Sequence, residues 1–181
     1  LKYGLPFRMS DATADQKKLW TDAYRDQQFE NATVKVADHL LSLNADVIGL
    51  TEVGGNAEVE LLVNKLNAKK GNYKYWKVCK SADRSTGQHV AILSRYPITE
   101  FQEEFTERGL YFKEADLDEE GETGMSKALR AQINANGRMV QVFIFHFKSE
   151  RGGEESDQQR LMHAEIGRRV TLPYINKGEF V

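Results

Sequence analysis

Apolar residues along the chain fall into short runs parted by polar turns, and the runs carry two different periods. Val59, Leu62, Val63 and Leu66 recur at helical spacing and predict an amphipathic helix over 58–67. Val36, Leu40 and Leu43, with Val34, Ala37 and Leu41 beside them, predict another, which Asn44 closes; Lys35, Asp38, His39 and Ser42 fill its wet side. Thr13 and Gln16 stand at capping-box spacing and open a first helix through Lys17, Leu19, Trp20 and Tyr24. A last helix is predicted from about 154 to 170 on the stripe Met162, Ile166 and Val170; His163 flanks that stripe and reads as structural.

The other runs read as strands. Residues 46–53 carry a mostly apolar run between Asp46 and Glu52, which predicts a strand buried on both faces. Strict alternation puts Ile48, Leu50 and Glu52 on one face and Val47, Gly49, Thr51 and Val53 on the other, before Gly54 and Gly55 turn the chain away. Residues 73–78 predict an aromatic strand, 81–88 a loop, and 89–94 a second buried strand that ends before Pro97, which has no donor to give. Residues 98–105 alternate well enough for another. Runs 129–135 and 139–147 flank Asn136-Gly137, the preferred dipeptide of a tight type I′ hairpin. In the second run Val140, Val142, Ile144 and His146 share one face and Met139, Gln141, Phe143, Phe145 and Phe147 the other. Both faces are mostly apolar, so this strand is expected to be central. Residues 106–126 are rich in acids and glycine and read as a loop. Asp116, Asp118 and Glu120 resemble the start of a calcium loop, but the closing acid would fall at Lys127, so a solvated or substrate-facing loop is the preferred reading.

Composition narrows this picture. The 181 residues fit one domain, 1–181, with room for a sizeable core. A net charge of −2 offers no overall basic field, which argues against tight non-specific nucleic-acid binding but leaves a metal-bridged phosphate substrate open. Cys79 is the lone cysteine, so no internal disulfide forms and the compartment stays open. No run is long enough for a membrane span, and nothing marks an obligate protein partner. Two polar residues, Glu52 and His146, each end a buried run. A carboxylate is costly to bury unless paired or metal-bound, so Glu52 is either an acid turned to water or a metal ligand. His146 is either a satisfied structural imidazole or a catalyst.

Three separated segments resemble the endonuclease/exonuclease/phosphatase superfamily, the group of the pancreatic-deoxyribonuclease-like enzymes. Asp46-Val-Ile-Gly-Leu-Thr-Glu52-Val53 is similar to the strand whose Glu binds the catalytic divalent metal, with Thr51 where many members have Gln. His89-Val-Ala-Ile-Leu-Ser-Arg-Tyr-Pro-Ile98 resembles a second family strand, departing at His89, where Gly is frequent. Val142-Phe-Ile-Phe-His146-Phe-Lys148-Ser149, followed by Gln159-Arg160, resembles the segment with a histidine near the scissile phosphate. The resemblance implies a four-layer α-β-β-α sandwich (deoxyribonuclease-I-like), an α/β fold incomplete in this chain. No segment in 1–45 replaces the family's first, Asn-bearing strand, and residues 178–181 resemble the strand that leads into its Gly-Asp-x-Asn segment. The chain is therefore expected to be an internal portion of a longer protein.

The implied reaction is attack of water on a phosphodiester, nucleic acid included among the substrates, assisted by Mg²⁺ or Mn²⁺ on Glu52. His146 would donate to the developing charge, and the two residues are expected to open into one cleft that a metal-bound phosphate bridges. Lys148 reads equally as a phosphate contact or a solvated lysine. Lys127 stands where the family often has Arg, as a phosphate contact or a plain loop lysine. Arg160 is expected to anchor its helix through a carboxylate. The alternative is a catalytically inactive sandwich that binds a protein or phosphorylated ligand. A carboxylate-pair hydrolase lacks a second acid at fixed short separation.

Overall fold

Residues 13–19, 21–80, 87–113 and 120–181 are described by the computed structural model. Two helices come first among the described residues. Thr13 and Gln16 close the capping box, Thr13 N–H donating to Gln16 Oε1 at 2.9 Å and Gln16 N–H to Thr13 Oγ1 at 3.3 Å, and start α1 (Ala14–Leu19). That helix stops short of the expected Tyr24; Trp20 lies outside the described residues. Thr21 caps α2 (Asp22–Leu43) by accepting from Tyr24 N–H at 3.1 Å. Asn44, at φ 47°, ends it in the left-handed conformation that short polar side chains tolerate. The buried stripe is Thr33, Ala37 and Leu40; Val36 and Leu43, expected inward, are 45% and 58% exposed. Helical spacing admits both stripes, and α3 (Asn56–Ala68) decides between them. Its inward face is Val59, Leu62, Val63 and Leu66, as the periodicity predicts.

Sheet strands follow the predicted order, β2 and β4 with shorter spans than predicted, β3 with the same span and β7 one residue longer. Strands β1 (Val47–Val53), β2 (Tyr75–Val78) and β3 (His89–Ser94) form an antiparallel sheet in the order β1-β3-β2. Strands β4 (Ile98–Gln102), β7 (Ala128–Ala135) and β8 (Arg138–Phe145) form a second in the order β4-β7-β8. The β7–β8 hairpin turns at Asn136 (φ 56°) and Gly137 (φ 91°), with Ala135 opposite Arg138, as a type I′ turn requires. Residues 106–126, expected as a loop, instead carry β5 (Arg108–Phe112) and β6 (Glu120–Gly124), an antiparallel ribbon; residues 114–119, and with them the start of the calcium-like segment, lie outside the described residues. Helix α4 (Gly153–Asn176) runs past the expected end at 170 and through Pro173.

Three apolar clusters stack these elements into four layers. Ala37, Leu40, Val59, Leu62, Val63 and Leu66 pack α2 and α3 on Ile48 and Leu93 of the first sheet. Val90 and Ile92 meet Leu129, Ala131, Ile133 and Ile144 between the sheets. Ile166, Val170 and Met162 lay α4 on Phe143 and Phe145. The architecture is thus an α-β-β-α sandwich. Among the described strands β8 lies at its sheet's edge and β7 is central, contrary to expectation, yet β8 is covered on both faces by the two clusters it separates. From its outer edge Gln141 N–H donates to Phe180 O at 2.7 Å, beside a parallel bridge between Val140 and Phe180.

One side chain fastens the start of β1. Arg95 donates from Nε to Gly71 O at 2.9 Å, pairs with Asp46 at 3.1 Å and reaches Asn44 Oδ1 at 3.1 Å. Its guanidinium lies 5.1 Å from the Tyr73 ring centroid, and the Tyr73 hydroxyl donates to Ala45 O at 2.6 Å. The arginine of the resembling segment is therefore a clip in this chain.

Candidate active site

The far end of β1 departs from regular pairing. Leu50 stands opposite Ala91 and Val53 opposite His89, so Thr51 and Glu52 share the single position across from Val90. This is a β-bulge, and Glu52 takes φ 57° in it, uncommon for a residue with a side chain. The extra residue reverses the alternation. Ile48, Leu50 and Val53 all pack toward α2 and α3, while Val47 packs between the sheets and Gly49 lies against Ile144. Glu52, expected on the Ile48 and Leu50 face, is thereby turned toward the other sheet. The expectation that β1 is buried on both faces also fails: Gly49, Thr51 and Glu52 are exposed, because β1 is an edge strand with only β3 beside it among the described strands.

His146 follows β8 on the face of Val142 and Ile144, which also looks between the sheets. Its Nε2 lies 3.6 Å from Glu52 Oε1. Both residues therefore reach one place, as expected, but closer than a phosphoryl group between them allows. The Glu52 side chain is 61% exposed and has room to swing; that of His146 is 20% exposed. His146 N–H donates to Lys127 O at 2.9 Å, extending the β7–β8 ladder by one rung. Its Nδ1 is buried and has no hydrogen-bond partner among the described residues. An unpaired buried nitrogen costs about 1–3 kcal/mol, so the ring is held by its surroundings at some cost.

Lys127 and Lys148 have different fates. Lys127 is buried in the bend just before β7, where its carbonyl accepts from His146 N–H, so it is not a solvated lysine. Lys148 is exposed two residues beyond His146. Arg160 behaves as expected, pairing with Asp157 on its own helix; it also donates to Ser149 O at 3.1 Å. His39 is exposed on α2. His163 is buried, and burial together with the Lys148 ammonium holds its pKa below the ordinary histidine value. The Cys79 thiol, buried in the inter-sheet core, is pushed up to about 11 by burial and is inert as a nucleophile at neutral pH. Sequence reasoning missed the tie from α4 to the segment after His146. Gln159-Arg160 in the resembling segment was its one visible trace.

A divalent ion fits this donor set in one manner. Mg²⁺ keeps several waters and takes one or two carboxylates beside substrate phosphates, and Glu52, with its side chain 61% exposed, could serve as one such carboxylate. Among the described residues no group of three or more His, Cys, Asp or Glu side chains forms a closed cage.

Comparison with known proteins agrees with the fold. The model of the Endonuclease/Exonuclease/phosphatase family matches residues 8–178. No curated protein sequence matches the chain. Among solved structures, a mutant of beta toxin from Staphylococcus aureus with bound magnesium ions superposes with a TM-score of 0.55 at 19% identity, over 84% of this chain and 53% of that one. TDP2 from Caenorhabditis elegans superposes with a TM-score of 0.53 at 16% identity, over 83% of this chain and 39% of that one. At these identities the likeness is one of fold, and the chain spans about half the length of the beta toxin.

Proposed function

This chain belongs to the endonuclease/exonuclease/phosphatase family, and on that premise we propose that it is a metal-assisted, nuclease-like hydrolase of phosphodiester bonds. The observation that carries the reading is the β1 bulge, which aims Glu52 across the sandwich at His146, 3.6 Å away. A strained backbone that brings an acid and an imidazole together from two sheets costs stability, of order 1–3 kcal/mol, without serving the core. Such a cost is ordinary at a reactive centre.

Glu52 would hold Mg²⁺ or Mn²⁺, which when bound supplies a Lewis acid for a phosphoryl oxygen. Water attacks phosphorus in line and the new P–O bond forms as the bond to the leaving oxygen breaks; the attacking water gives up a proton to solvent and the leaving alkoxide takes one from solvent. His146 donates from Nε2–H to a non-bridging oxygen whose charge grows toward the transition state. A positioned donor of this kind is worth roughly 3–4 kcal/mol. For substrate to enter between them, Glu52 rotates away from His146, which its exposure permits. Lys148 adds positive charge at the rim, where it can meet a second phosphate.

The test is Glu52→Gln in the full-length protein, assayed on a generic phosphodiester across a Mg²⁺ titration. Most metal-dependent turnover should vanish while the melting temperature holds or rises. Turnover within about threefold of the parent at saturating Mg²⁺ would overturn the assignment.

A further inference from the structure

His163 sits on α4, outside the Glu52–His146 pair, yet it is the point at which three elements meet the site. Lys148 N–H donates to its Nδ1 at 3.2 Å. A backbone N–H can only donate, so Nδ1 is the bare nitrogen and the ring proton is on Nε2. Nε2 then donates to Thr123 Oγ1, 2.8 Å away on β6. The ring also meets Phe147 at 5.9 Å between centroids. One neutral imidazole thus grips the two residues that follow His146 and fastens them to the ribbon. The ribbon in turn is bolted to α4: the Tyr111 hydroxyl donates to Glu155 Oε1 at 2.9 Å and accepts from Gln159 Nε2 at 2.6 Å.

We propose that His163 is a positioning residue for the phosphodiester reaction: its single tautomer sets the backbone after His146 and couples that segment to the β5–β6 ribbon. The inference rests on the hydrolase reading above for its kinetic consequence, though not for its structural one. The segment 147–149 has left the β-ladder, since the last rung is His146 N–H on Lys127 O. Beyond it the backbone ties come from α4, through His163 to Lys148 N–H and through Arg160 to Ser149 O. The His146 ring has no Nδ1 partner among the described residues, so its aim depends on how its backbone is held.

The experiment compares His163→Phe, which keeps a ring against Phe147 but loses both hydrogen bonds, with His163→Gln, which can accept from Lys148 and donate to Thr123. In the full-length protein, His163→Phe should lower kcat roughly 10–100-fold, as misplacement of a reacting group does, with KM nearly unchanged. His163→Gln should recover most of that loss, and His39→Ala should be silent. Nitrogen-15 NMR adds a readout independent of turnover. The parent should show His163 as the Nε2–H tautomer, and His163→Phe should speed exchange of the Lys148 amide and shift the His146 imidazole signals. Should His163→Phe not fold, Thr123→Val, which removes only the Nε2–H acceptor, carries the same two readouts. A folded variant with normal kcat and unmoved His146 signals overturns the proposal. If the parent hydrolyses no phosphodiester, the hydrolase reading falls, while the imidazole and amide signals still decide whether His163 positions His146.

Discussion

A single extra residue decides where Glu52 points. Period-2 alternation has no mark for a bulge, and nothing in Leu50-Thr51-Glu52-Val53 announces a left-handed backbone; glycine or asparagine would have, glutamate does not. The strand-end placement of Glu52 and His146 was legible because each closes an apolar run. Their convergence was legible only through the resemblance, and the face of Glu52 was read wrongly. His146→Ala removes a largely buried ring with one nitrogen that has no partner among the described residues. It should lower kcat far more than it changes KM, because its donation strengthens only as charge develops. Melting temperature should fall little, and His39→Ala should alter neither. Steady-state kinetics beside melting curves separate these outcomes; a His146→Ala protein that mostly unfolds, with normal turnover per folded molecule, would make the residue a core member.

At the level of elements, legibility tracked where the apolar side chains sit. Asn136-Gly137 carries its own turn chemistry, and α3 carries its own stripe, so both were readable. The β5–β6 ribbon was not, because its inward face holds Gly109, Tyr111, Gly121 and Thr123, and the bulk that packs there comes from α4. Met162 lies against Gly109 so closely that a side-chain carbon at position 109 would overlap it. Outward, the ribbon shows Leu110 and Phe112 to solvent, the reverse of the usual signal. A methyl group at Gly121 would fall 2.5 Å from the Tyr111 ring. Gly121→Ala should therefore cost about 1–3 kcal/mol locally. Hydrogen exchange should quicken at the Arg108–Phe112 amides while Leu129–Ile133 stay protected. Uniform quickening across both sheets would show that the ribbon unfolds only with the whole.

For the molecule as a whole, stability should lean on pH through His163. Its folded pKa lies below the unfolded value, near 6.5, because burial and Lys148 disfavour the charged ring. The folded state therefore binds fewer protons than the unfolded one around that pH. The associated stability is present above the unfolded value and is lost as pH falls through the folded one. Denaturant titrations at descending pH should show the midpoint dropping below about pH 6.5, with a shallower drop in His163→Gln. Equal slopes in the two proteins would assign the acid sensitivity elsewhere. The four layers themselves follow from the runs on β3 and β7, which are buried on both faces and so demand cover on each side.

Strand β1 is built like a cantilever. Arg95, Asp46, Tyr73 and Ala45 clamp its root, and the bulge at Thr51 and Glu52 forms its tip. In a beam held at one end, deflection gathers at the other. On the proposed reading an ion and a phosphate would be accommodated at the tip, where the carboxylate would follow its ligand over some range while the core behind it keeps its packing. Loosening the clamp with Arg95→Ala would then be felt first as slack in metal affinity, at the end of the strand farthest from the cut.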